Sequence, residues 1–200
     1  MHDLGRNEDR LRGTYEFPFE FHHIDNSHPR YVMSYHWHVE CEIMRVLQGT
    51  LTVTLDEKSF TAKAGDVIFV NSGVLHSGIP QDCIYQCIVF DMNMFLKFNS
   101  VCTEYMQKIS HQELLIYHHF TEKQPDIQRA ANSLFDSFWQ RKPGYELVVF
   151  GQFYHFFGLV FGNHYYLESL RKTRRDYKRI VQLKQVVEFI EKNYASPITL

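Results

Sequence analysis

His36, His38, Glu42 and His76 are the side chains best able to do chemistry together. Successive side chains of an extended strand point to opposite faces, so positions 36, 38 and 42 share one face and His76 would join them from a second strand. Three imidazoles and a carboxylate on one wall suit a divalent ion such as zinc, nickel, iron or manganese. They suit equally well a polar wall that hydrogen-bonds an organic ligand, and the residues alone leave both chemistries open. Trp37 alternates with the two histidines and is expected to point away from them. The remaining histidines carry less. His22-His23 stands ahead of the strands, while His118-His119 and His155 fall on expected helices without a second ligand one turn away. Each is read as a surface or internally satisfied side chain.

These residues need strands to hold them. Short runs rich in β-branched and aromatic residues recur at 31–38, 42–47, 51–55, 67–70 and 84–90, the pattern of an antiparallel barrel or sandwich. Gly49, Asp56-Glu57-Lys58, Ala64-Gly65-Asp66 and Ser72-Gly73 separate them as turns. From about residue 102 the period becomes helical, predicting helices over roughly 102–119, 126–141 and 145–168, with breaks at Pro125 and Pro143-Gly144. The third is apolar nearly all round and must be buried on several sides. A last helix is expected over about 176–193, with Ile180, Leu183, Val187, Ile190 and Tyr194 on one face.

The two blocks around the site, His36-x-His38-x3-Glu42-x6-Gly49 and Gly65-x5-Asn71-x-Gly73-x2-His76, resemble the paired motifs of the cupin superfamily over about residues 14–95. Asn71 departs by standing where many cupins carry proline, and Pro80 by standing where many carry asparagine. Tyr35 to Ile43, and Lys63 to Asn71 followed by His76, resemble the sensing domain of AraC-type transcription regulators. The segment from Ile180 to Leu200 resembles the opening helix and turn of that family's DNA-binding domain, with Thr199 at the next helix cap.

The resemblance implies an α+β fold: an antiparallel cupin-like β-barrel (double-stranded β-helix) followed by a helical segment. It divides the chain into a sensing barrel over 1–100, a helical dimerisation segment over 101–170, and a basic linker with the first DNA-domain helix over 171–200. It implies a homodimer binding a small-molecule effector, a sugar or related metabolite, at His36, His38, Glu42 and His76, without catalytic residues. DNA would be read only through a helix-turn-helix domain that follows. The competing reading is a small metal-dependent cupin enzyme of dioxygenase or isomerase type. The basic connector and amphipathic helix at the C-terminal end weigh against it.

Composition agrees with that division. Hydrophobic residues make up 44% of the 200 residues, enough for a sizeable core. Net charge is −2, yet residues 171–200 hold 8 Lys+Arg against 3 Asp+Glu while 1–170 hold 13 against 20. A basic tail on an acidic body points to a polyanion near that end. Cys41, Cys83, Cys87 and Cys102 form no CxxC pair, and the polar N-terminus lacks a secretory core. A cytoplasmic protein with reduced thiols, not bound in a membrane, is expected.

Overall fold

The computed structural model describes residues 6–7, 12–97 and 101–169, with helical backbone at Gln182 and Val186. The expected basic linker and final helix otherwise lie outside the described residues. The strands are β1 (Arg6–Asn7), β2 (Phe19–Ile24), β3 (Met33–Trp37), β4 (Cys41–Leu55), β5 (Lys58–Lys63), β6 (Val67–Val70) and β7 (His76–Phe90). A 3-10 turn (Met92–Leu96) leads to α1 (Thr103–Ser110), β8 (Leu114–Ile116), β9 (His119–Phe120), α2 (Pro125–Gln140), α3 (Tyr145–Gly162) and β10 (Tyr166–Glu168). The fold is α+β, with a mostly antiparallel eight-stranded sheet.

The longest strands, β4 and β7, run antiparallel along their whole length, from Cys41 opposite Phe90 to Leu55 opposite His76. The turn expected at Gly49 is instead a bulge inside β4, where the register shifts between Val46 and Thr50. Gly49 has φ +67°, and a Cβ there would lie 2.2 Å from the Asp82 carbonyl oxygen, so only glycine fits this bend. The two runs expected at 42–47 and 51–55 are therefore one strand. Between residues 14 and 95 two strands lie outside the expected runs: β5, which pairs with β4, and β2, which pairs with β7 and carries His22-His23 within the sheet.

Alternation along β4 and β7 gives the sheet two apolar faces. Met44, Val46, Leu51, Cys83, Tyr85 and Cys87 fill one core. Ile43, Phe69, Ile88 and Phe90 point the other way, into a second core shared with the helices. There α2 presents Ile127, Ala131, Leu134, Phe135 and Phe138 at helical spacing. From α3, Phe153 centres an aromatic cluster, with its ring 4.6 Å from Phe90, 5.1 Å from Phe19 and 5.7 Å from Phe95.

Arg45 is the exception on the helix face, a buried cation among apolar neighbours. Its Nε donates to Gln86 Oε1 at 2.8 Å, Nη1 to Asn132 Oδ1 at 3.1 Å and Nη2 to Asp136 Oδ1 at 2.8 Å. The guanidinium also lies 5.0 Å from the centre of the Phe135 ring. One side chain thus ties β4 and β7 to α2.

The helix expected over 102–119 stops at Ser110, and the chain then forms β8 and β9. Asn71 accounts for the change. Its Nδ2 donates to the Ile116 carbonyl at 2.8 Å and its Oδ1 accepts from the Ile116 N–H at 3.0 Å, satisfying both backbone groups as a strand partner would. The third helix is also shorter than expected. It ends at Gly162, His164 takes φ +56°, and Tyr166–Glu168 turns back to pair with β8. No helix among the described residues is long and apolar enough to cross a membrane.

Phe153→Ala would open a cavity where Phe19, Phe90 and Phe95 meet the helix. It should cost about 3–5 kcal/mol, seen as a lower urea midpoint at unchanged slope. A loss within ~0.5 kcal/mol would show that the helix is not packed this way.

Candidate ligand and metal site

All four site residues meet on the face of the sheet opposite the helices. One ligand-type atom from each of His36, His38, Glu42 and His76 lies within 4.8 Å of the others. His76 comes from another strand as expected, but His36, His38 and Glu42 do not share one strand, as simple alternation assumed. His36 is on β3, His38 follows its end, Glu42 is the second residue of β4 and His76 the first of β7. His76 pairs with Leu55, thirteen residues along β4 from Glu42, so a flat sheet would hold them ~40 Å apart. Instead His76 Nε2 is 3.2 Å from Glu42 Oε2. The sheet curls back on itself, helped by the register pair His36–His76 between β3 and β7.

Backbone carbonyls orient every ring. His36 Nδ1 lies 2.9 Å from the Ser34 carbonyl oxygen, His38 Nδ1 3.1 Å from that of Glu40, and His76 Nδ1 2.9 Å from that of Val74. A carbonyl only accepts, so each Nδ1 carries the proton and donates. In the neutral ring the Nε2 lone pair is then left for the site. His38 Nε2 is 3.3 Å from Glu42 Oε2. His76 Nε2 approaches that oxygen off the hydrogen-bonding line and is a buried nitrogen without a hydrogen-bond partner.

That geometry fits a divalent ion. Nδ1-to-carbonyl bonds are the usual second layer around metal-binding histidines, and an orphaned buried Nε2 is the donor such an ion would satisfy. With metal–nitrogen distances of ~2.0–2.1 Å, donors on opposite sides of an ion stand ~4 Å apart, so the observed spread needs only slight contraction.

The electrostatics point the same way. Burial by itself pushes the Glu42 carboxyl up, but without a metal the His38 and His76 rings, when they also carry a proton on Nε2, outweigh burial and hold it well below the carboxylate range. Burial, then the nearby His76, push His36 down to about 4.

A cavity of about 270 Å³ opens beside the cluster, reaching Arg12, His22 and Tyr85 on its walls and His28 and Arg30 on the 25–32 loop. That loop is held by Tyr31, whose hydroxyl accepts from the Cys83 N–H at 3.0 Å and whose carbonyl accepts from the Tyr85 hydroxyl at 3.1 Å. Trp37 is buried and does not line the cavity.

Of the other histidines, His155 lies on α3 as expected, whereas His119 opens β9 and His118 immediately precedes it rather than lying on a helix. His118 Nδ1 donates to the Phe69 carbonyl at 2.9 Å, and His119 Nε2 is 2.8 Å from Asp66 Oδ2. His22 and Arg12 are cavity residues that sequence patterning missed. His22 shares the face of Ile24 two positions on, a period-two signal that becomes readable once β2 is recognised as a strand.

Residues 18–154 match the AraC-like ligand binding domain family. The chain belongs to that family. It is also similar to an uncharacterised helix-turn-helix transcriptional regulator of Bacillus subtilis (strain 168), YdeC, at 24% identity over 171 residues. The match covers 82% of this chain and 57% of that protein, so the chain spans little more than half of its relative. Among solved structures, an oxalate decarboxylase of Bacillus subtilis is similar at 25% identity and TM-score 0.28, over 30% of this chain and 18% of that one. A conserved protein of unknown function from Streptococcus pyogenes, SPY1581, is similar at 15% identity and TM-score 0.32, over 36% and 62%.

Two measurements check the site. His36 with a folded pKa near 4 stays neutral while its unfolded counterpart, near 6.5, takes up a proton. Glu42 behaves likewise below its ordinary 4.5. In both cases the unfolded state binds more protons, so stability falls as pH falls. The melting temperature of chelator-treated protein should therefore drop from pH 6.5 to 4, with His36→Asn flattening the upper part; a flat profile for the unsubstituted protein contradicts the geometry.

The second concerns thiols. Burial pushes Cys41 up to about 12 and Cys83 to about 11, and burial, then Glu42, hold Cys87 well above its usual value. Ellman's reagent should titrate the partly exposed Cys102 in native protein and the other three only after unfolding. Fast reaction of Cys87 would mean the cavity wall is not as described.

Proposed function

We propose that this chain is the ligand-sensing and dimerisation region of an AraC-type transcription regulator. It works in the cytoplasm as a homodimer and responds to a small polar metabolite, sugars being the class the resemblance suggests. In the full-length protein a helix-turn-helix unit would read DNA. The observation that carries this reading is the convergence of three backbone-oriented Nε2 atoms and the Glu42 carboxylate beside a cavity, within residues of the AraC-like ligand binding domain family. His36, His38, Glu42 and His76 would hold a divalent metal there, and the metal would supply a Lewis-acidic contact for the effector. The chain's own residues fix the ring orientations, bury the carboxylate and shape the cavity. The role is binding rather than turnover. Sequence membership in a regulator family supports this over the cupin-enzyme alternative.

The homodimer reading rests on α3. Leu147 and Val148 are exposed at 80% and 47%. Gly151 and Gly158 lie on the outer side of the same helix, where a Cβ would meet nothing within 4 Å. Helical glycine costs ~1 kcal/mol relative to alanine, and packing among the described residues gives no reason for it. Close approach by a second copy does.

Protein purified without chelators or a nickel column should carry near-stoichiometric zinc, iron, nickel or manganese, and His36→Ala with His38→Ala should remove it. Metal-free protein that still responds to an effector would restrict the four residues to hydrogen bonding. In light scattering the chain should run as a dimer, and Gly151→Leu, which meets none of the described residues of its own copy, should run as a monomer with an unchanged far-ultraviolet spectrum. A dimer unaffected by that change would move the interface elsewhere.

A further inference from the structure

The turn between β6 and β7, residues 71–75, touches the candidate site on one side and the β8–β10 pair on the other. At the site it holds two of the four donors. The Gly73 N–H donates to the carbonyl of His38 itself at 2.9 Å, and the Ser72 hydroxyl donates to the Val39 carbonyl. The Val74 carbonyl accepts from His76 Nδ1 at 2.9 Å and so fixes that ring. The spacing of His38 from His76 is therefore set through this turn.

Its far side is bound as closely. The buried Asn71 amide meets both backbone groups of Ile116, at 2.8 and 3.0 Å. Gln112 Nε2 donates to the Ser72 carbonyl. Ile116 ends β8, which pairs with β10 in a two-stranded sheet separate from the main one. Two more bonds extend that small sheet, from the Tyr117 N–H to the Tyr165 carbonyl at 3.0 Å and from the Ser169 N–H to the Glu113 carbonyl at 2.8 Å. Ser169 stands just ahead of the basic linker expected over 171–200.

We infer that the 71–75 turn is the output of the effector site, passing occupancy of the four donors through Asn71 and β8 to β10, and so toward the linker. The inference rests on reading those four residues as a metal and effector site. Donors spread over 4.8 Å close slightly around an ion, and His38 and His76 cannot close without carrying Gly73 and Val74. The other end of the turn is pinned to the eight-stranded sheet. There the Leu75 carbonyl accepts from the Asp56 N–H at 2.7 Å, and the Leu75 N–H donates to Asp56 Oδ1 at 3.2 Å. Displacement is directed instead to the Asn71 end, which holds a sheet of only two strands. The paired amide bonds carry it because breaking either one would strand a buried polar group. Close-packed interiors pass such small shifts on as movements of whole elements.

The test adds zinc alone to the chelator-treated 200-residue chain, with uptake measured by calorimetry and the response by amide hydrogen exchange. Zinc should slow exchange at Ile116, Tyr117 and Ser169 at least fivefold beyond the slowing in α2, which reports the overall gain in stability. Asn71→Ala removes no donor from the site, so it should still take up one zinc per chain but lose the extra slowing. Should that variant fail to fold, Gln112→Asn serves in its place. Asparagine tolerates the φ of +56° at that position but falls short of Ser72, and it should reduce the extra slowing at least twofold. Zinc uptake without extra slowing would overturn the inference and leave the metal reading standing. So would extra slowing that the folded variant leaves intact. No zinc uptake by the unsubstituted chain would overturn the inference and count against the metal reading as well.

Discussion

The full-length pairing of β4 with β7 is the constraint on which the rest of the structure depends. Strands this long twist and coil, and a bulge at Gly49 adds a sharper bend. Curvature brings the start of β7 back to the start of β4, and only then can His76 face Glu42. A buried carboxylate is tolerable where positive or polar partners surround it. The histidine cluster and the curl of the sheet thus require one another: without the curl Glu42 would be a lone buried charge, and without the cluster the curved face would close over an unmet one.

The opposite face solves a similar problem by other means. Arg45 sits three residues after Glu42, with reversed direction and reversed charge, and α2 supplies its partners Asn132 and Asp136. Gln86 completes the set from β7. Polar groups of this kind specify arrangement more than they add stability, because alternative packings would strand them. Around them Phe19, Phe90, Phe95 and Phe153 belong to the larger apolar cluster that joins the sheet to the helices.

Much of this was legible in the sequence because it is periodic. The β-rich first half and the helical second half follow from periodicity, and the grouping of His36, His38, Glu42 and His76 from motif spacing, although alternation along one strand is not what brings the first three together. What was not legible is what long-range partners decide. Gly49 carries the same turn signal whether the chain reverses or bulges, and β7 opposite it determines which. Residues 111–120 have no strong strand pattern of their own; Asn71, more than forty positions earlier, gives Ile116 a strand's hydrogen bonds. Arg12 and His22 lie outside the motif blocks, and nothing local marks them as facing the cavity. Asn71 itself first read as a departure from the cupin pattern, and its side chain turns out to position β8.

Glu42 and Arg45 are near neighbours on one strand, one turned to the cavity and the other to α2. A strand read from both sides has little freedom to drift. A substitution that reshapes the cavity by shifting the β4 backbone also moves the seat of Arg45, and with it the helix layer. Change of effector preference over evolution is therefore channelled toward side chains on β3 and the 25–32 loop, which line the cavity without carrying α2, whereas β2 also seats α2 through Phe19 and Phe21 against Phe138. The deep end of the pocket should age slowly and its rim quickly.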